Sequence, residues 1–134
     1  MRKIDHRGLL SIQIDYNNKM EVAFKPVDNT IWMNRNELCE LFGCYLKEID
    51  ECFETIFQKE MFRIEDTCHY HIIAGGKRIS YDISEVNLNI IIALAFMIAT
   101  PQAETLRTWF VAQMLKNKSL DIPFVDMEQN FLLN

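Results

Sequence analysis

Apolar and polar positions alternate over residues 11–15, which puts Ile12 and Ile14 on one face, and the same period returns at Met20, Val22 and Phe24. Asn17 and Asn18 lie between the two runs, and period-two runs on either side of an Asn-rich turn predict a β-hairpin. Pro26, Asp28 and Asn29 mark a loop, after which residues 30–33 form a short apolar stretch predicted as a strand.

The period then changes to that of a helix. Asn34 followed by Glu37 is a start signal, because the Asn side chain accepts from a first-turn amide while the Glu reaches back to the cap amide. Leu38, Leu41 and Phe42 supply the apolar face of about two turns, and Gly43 supplies a left-handed stop. A second helix follows at once, with Leu46, Ile49, Cys52, Phe53, Ile56 and Phe57 on one stripe and Lys47, Glu48, Asp50, Glu51, Glu54 and Thr55 opposite. Two short helices joined by a glycine turn predict a helix-turn-helix, the second being the candidate recognition helix.

Residues 67–73 are rich in β-formers, Gly75 and Gly76 make a turn, and residues 78–82 return, so a second hairpin is predicted in the position of a wing. Ser84 or Asn87 then caps a strongly apolar helix running to about Met97. A last helix restarts at Thr100 and Pro101, where the missing proline amide costs nothing, with Leu106, Trp109, Phe110, Gln113 and Met114 on one face. The fold class read from this order is α+β: an N-terminal hairpin, a winged-helix-like helix-turn-helix with wing, and two packed C-terminal helices. Residues 1–118 make one domain, and residues 119–134 a docking tail carrying Ile122, Phe124, Val125, Phe131, Leu132 and Leu133.

Charge sharpens this picture. The 134 residues carry 14 Lys+Arg against 19 Asp+Glu, a net charge of −5, which argues against generic affinity for polyanions. Residues 1–36 hold six bases and four acids, residues 37–66 three bases and nine acids, and residues 67–134 five bases and six acids. Residues 37–66 therefore hold essentially all of the net negative charge. The N-terminal residues are not followed by an apolar run, and the most apolar segment, residues 90–100, is about half the length that spans a bilayer. A cytoplasmic protein with reduced thiols is expected from its four cysteines.

Site chemistry is sparse. Cys68, His69, Tyr70 and His71 alternate across a predicted strand, so His69 and His71 share a face that Cys68 does not, and the remaining cysteines lack paired metal-ligand spacing. Cys39 and Cys52 border apolar helix faces as packing residues. The four glycines are all at turns, so no phosphate-cradling loop is present. Trp32, Phe96, Trp109 and Phe110 are read as core aromatics. No catalytic residue, metal site or cofactor is expected.

Four motifs in order resemble the RhuM-type virulence protein family of bacterial genomes and mobile elements. They are Ile31-Trp32-Met33, then Glu37-Leu38-Cys39-Glu40-Leu41-Phe42-Gly43 with Ile56-Phe57, then Asn87-Leu88-Asn89-Ile90-Ile91-Ile92-Ala93, and Arg107-Thr108-Trp109. Cys68 and the Gly76-Lys77 turn resemble that family's hairpin. The resemblance covers roughly residues 20–115 and implies a winged-helix-like domain, related in style to phage KilA-N and Bro-N modules, with DNA binding. The departures fall on the polyanion-facing positions. The family's Ser/Arg/Thr-rich opening of the second helix is Cys44-Tyr45-Leu46-Lys47-Glu48-Ile49-Asp50-Glu51-Cys52 here, and three basic positions between its last helices are Met97, Pro101 and Gln102.

The expected function is thus a non-enzymatic DNA-associated regulatory module of mobile-element type with weakened or lost base readout, contacting duplex DNA weakly through Arg2, Lys3, Arg7, Arg35, Lys47, Lys77 and Arg78. The alternative is a protein-interaction module on the same scaffold, binding a protein partner or a second copy through Glu48, Asp50, Glu51, Glu54, Phe124 and Phe131. Neither a membrane nor a small-molecule substrate is expected.

Overall fold

The computed structural model describes residues 6–76 and 78–116. The tail at 119–134 lies outside them. Among the described residues the protein is a small mixed α+β domain with two antiparallel hairpins and five helices.

Strands β1 (Leu9–Ile14) and β2 (Met20–Lys25) pair with Leu10 opposite Phe24, Ile12 opposite Val22 and Ile14 opposite Met20. Their turn is held by Asp15, whose Oδ1 accepts from the amides of Asn17 and Lys19 at 2.8 and 3.0 Å. The apolar face is covered progressively toward the open end: Ile14 is 64% exposed, Leu10 only 4%. Residues 30–33 do not form the expected strand. They make two isolated bridges, Val27 with Thr30 and Met33 with Val86, because the chain crosses its neighbours briefly instead of running beside them.

Helix α1 (Arg35–Phe42) starts on the expected reciprocal cap, in which Asn34 Oδ1 accepts from the Glu37 amide and Glu37 Oε1 accepts from the Asn34 amide, both at 2.9 Å. Gly43, at φ 63°, ends it in the left-handed conformation that a side chain would strain. Helix α2 (Leu46–Gln58) begins two residues beyond Cys44, its Tyr45 amide donating to Glu48 Oε1 at 3.1 Å. Ile49, Phe53 and Ile56 are buried and Cys52 and Phe57 pack at the margin of the core. Leu46, expected to open the buried stripe, is exposed instead, because it occupies the first turn, before α2 reaches the body.

An unexpected single turn, α3 (Ile64–Thr67), follows, in which the buried Thr67 hydroxyl donates to the Arg63 carbonyl at 2.7 Å. Strands β3 (Cys68–Gly75) and β4 (Arg78–Val86) extend further than their sequence pattern indicates. Ser84 belongs to β4 and is not a helix cap: it is the extra residue where the register shifts, and its hydroxyl donates to the His69 carbonyl at 2.9 Å. Asn87 takes the capping role for α4 (Leu88–Ala95), accepting from the amides of Asn89 and Ile90. That helix stops short of Met97, and Arg107 Nη1 binds the freed carbonyls of Ala95 and Ile98, both at 2.8 Å.

Helix α5 (Pro101–Lys116) is tied to α1 through Thr100, whose Oγ1 donates to the Phe42 carbonyl at 2.6 Å and accepts from the Ala103 amide at 3.1 Å. Ala103 and Leu106 are buried, but Gln113 and Met114 are exposed, so the expected apolar face is covered over the first half of α5 only. Phe96 is 53% exposed and Trp109 and Phe110 are half-buried; these aromatics edge the core and do not fill it, as does Trp32. The core itself is one cluster drawing Leu10, Ile31, Leu38, Phe42, Ile49, Phe53, Ile83, Val86, Ile91 and Leu94 together from both hairpins and the helices. Each such side chain contributes about 1.5–3 kcal/mol of burial, which offsets the ordering of this short chain. Among the described residues no helix is long and apolar enough to cross a membrane.

Candidate interaction surface

Two of the cations expected to meet a duplex, Arg7 and Arg35, are engaged within the domain. Arg7 forks onto Glu37, Nη1 to Oε1 and Nη2 to Oε2 at 2.8 Å each, and Nη1 reaches Glu85 Oε2 at 2.9 Å. Glu85 Oε1 in turn meets His69 Nδ1 at 3.0 Å, and the His69 ring stacks on Trp32 with centroids 3.7 Å apart and planes 10° from parallel. Partial burial opposes ionisation of Glu85, but the hydrogen bonds from His69 and Arg7 outweigh it and hold the carboxyl below its ordinary value. The base that sequence placed in an N-terminal arm is therefore the hub joining α1 to β4.

Arg35 is committed in the same way. Its Nε donates to Asp50 Oδ1 at 2.8 Å, Nη1 donates to the Ile83 carbonyl at 2.9 Å and lies 3.8 Å from Asp82 Oδ1, and the guanidinium sits 5.7 Å from the Phe53 ring centroid. Lys47 is exposed on α2. Arg2, Lys3, Lys77, Phe124 and Phe131 lie outside the described residues, as does the side chain of Arg78.

Glu48, Asp50, Glu51 and Glu54 are all exposed along α2. Two of them have local duties: Glu48 caps its own helix and Asp50 holds Arg35. Among the described residues Glu51 and Glu54 enter no ion pair, although Glu54 accepts from Gln58 Nε2 at 3.1 Å. Sequence reasoning grouped these four correctly on one helical face, but the partner of Asp50 comes from α1, fifteen residues earlier, and no local spacing marks it.

Beside this face lies a feature the sequence did not reveal. Opposed residues of an antiparallel pair share a face, so Tyr70 with Ile83, Ile72 with Tyr81, and Ala74 with Ile79 form one apolar stripe along the second hairpin. Ile83 is 7% exposed, at the buried end of the stripe, and Ile79 is 67% exposed, at the far end. Where the stripe meets α2, Tyr81 and Phe57, Phe62 and Ile64 line a cleft of about 480 Å³ edged by Glu60 and by Arg63 and Glu65, which pair with each other at 3.4 Å. A smaller cleft of about 250 Å³ continues it past Phe53, Asp50 and Glu54. Strand alternation through residues 79–83 is the one sequence signal that could have found this stripe.

The sulfur groups lack the setting of a nucleophile. Burial pushes the Cys44 thiol up to about 11, with Cys39, Glu48 and Cys52 adding to it. Burial likewise raises Cys39, Cys52 and Cys68, so at neutral pH these are protonated packing groups. Cys68 is buried beside the Thr67 hydroxyl, on the opposite side of β3 from His69. Among the described residues no group of three or more His, Cys, Asp or Glu side chains is placed to hold a metal ion. No protein-family model, curated protein or solved structure matches this chain.

Proposed function

We propose that this domain is a non-enzymatic protein-interaction module on a winged-helix-like scaffold of RhuM type, and that the cleft between α2 and the second hairpin receives a basic amphipathic segment of a partner protein. The observation that carries this reading is the division of charge: Arg7 and Arg35 are held by intramolecular carboxylates, while Glu51 and Glu54 are exposed and enter no ion pair among the described residues. A phosphate approaching α2 meets carboxylates, and reaching either arginine means breaking a charge-assisted contact already made. A basic segment meets the opposite situation. Its charges are attracted by Glu54 and Glu60 at the edge, and its apolar side chains find Phe57, Phe62 and Tyr81 in the floor.

The second reading, weak association with duplex DNA in a regulatory role, draws on exposed Lys47 and on the adjacency of Lys77 and Arg78 in sequence at the hairpin turn. A calorimetric titration with an amphipathic Leu/Lys peptide tests the first reading. The expected result is saturable binding that weakens about tenfold when Glu54 and Glu60 are both changed to Lys, each reversal being worth somewhat under 1 kcal/mol at an exposed rim. Both side chains are exposed, so the fold tolerates the change. Equal affinity for the wild type and the reversed variant overturns the proposal.

A further inference from the structure

A second apolar cleft, of about 660 Å³, lies on another side of the molecule, between α4 and the second half of α5. Leu88, Ile92 and Phe96 form one wall, Phe110 and Met114 the other, and Phe24 of β2 closes one side. Phe96, Val111 and Met114 of its lining are about half exposed, an apolar patch of the kind that marks a contact surface. We infer that this cleft is the seat of the chain's own residues 117–134.

Three observations select that occupant. Lys116, the last described residue of α5, lines the cleft, so the following segment leaves from its edge. Ile122, Phe124 and Val125 come six to nine residues later. An extended chain of that length spans roughly 20–30 Å, comparable to the roughly 24 Å length of a sixteen-residue helix, so Phe124 reaches back along the whole wall. Finally, Asp121, Asp126 and Glu128 flank these apolar residues in sequence and are opposite in charge to Lys116, which lines the cleft. Tethering gives such a segment an effective concentration on the order of millimolar, which favours it over a second copy at ordinary protein concentrations.

Hydrogen exchange on the full chain tests this. Amides within residues 122–133 are expected to exchange at least about tenfold more slowly than in a free peptide of the same sequence. This protection should be unchanged across protein concentrations. Met114→Asp, on the exposed wall, and Phe124→Asp, on the opposing segment, should each return those amides to the peptide rate while α1 and α4 stay protected. Peptide-like exchange in the unmodified chain overturns the inference. So does protection that survives both substitutions, and protection that grows with concentration assigns the cleft to a second copy instead.

Discussion

The two hairpins of this domain use similar apolar strands to different ends. In the first, Leu10 is buried, Phe24 packs its ring 5.2 Å from that of Trp109, and cover is lost only beside the turn. In the second, burial stops near Ile83, and Tyr81, Ile79 and Ile72 continue the same face into solvent. An isolated two-stranded ribbon is marginal in water, so a hairpin that outruns its support keeps its register from the base. The first hairpin thus serves the core, and the second presents a surface beside an acidic helix.

The sharpest way to break this contrast is to remove equal side chains from the two ends of the second hairpin. Ile83→Ala should cost about 2–4 kcal/mol in denaturant unfolding, as a large-to-small change in a packed core does. Ile79→Ala should cost less than about 0.5 kcal/mol, the range of exposed sites, while weakening the Leu/Lys peptide. Similar costs at both positions would mean that the outer stripe is covered.

A smaller effect is expected at the polar tether holding the base of this hairpin. Arg7→Met removes the group between Glu37 and Glu85 and should cost about 1 kcal/mol at neutral pH, a modest figure because the contacts are partly solvated. The pH dependence has a definite sign. The Glu85 carboxyl is held below its ordinary value of 4.5, so its contribution to stability is present above that value and is lost as pH falls through the lowered value in the folded protein. The stability difference between wild type and Arg7→Met, measured by denaturant midpoints, should therefore narrow on acidification below the ordinary Glu range. A gap that widens would place the stabilising interaction elsewhere.

Local signals carried much of the fold. The cap formed by Asn34 and Glu37, the left-handed stop at Gly43 and the stripe from Ile49 to Phe57 depend on neighbours within one or two turns, and these spacings are written directly in the chain. What depended on distant residues was not legible. The α3 turn has no periodic pattern of its own and is completed by Thr67 binding back to Arg63, while Ser84 left its capping position because β4 continued to Val86. For the candidate surface, sequence located the acids of α2 but not the fate of the arginines. Arg7 finds Glu85 across 78 residues and Arg35 finds the Ile83 carbonyl across 48, contacts that composition and spacing do not encode.

The most direct measurement is a salt titration of the full chain with short duplex DNA. If α2 and the second hairpin form a surface for basic protein segments, no saturable association with the duplex appears even at low salt. Duplex binding whose log–log salt slope is roughly −0.9 per neutralised phosphate, and which loses about two such units when Lys77 and Arg78 are changed to Ala, would contradict that account.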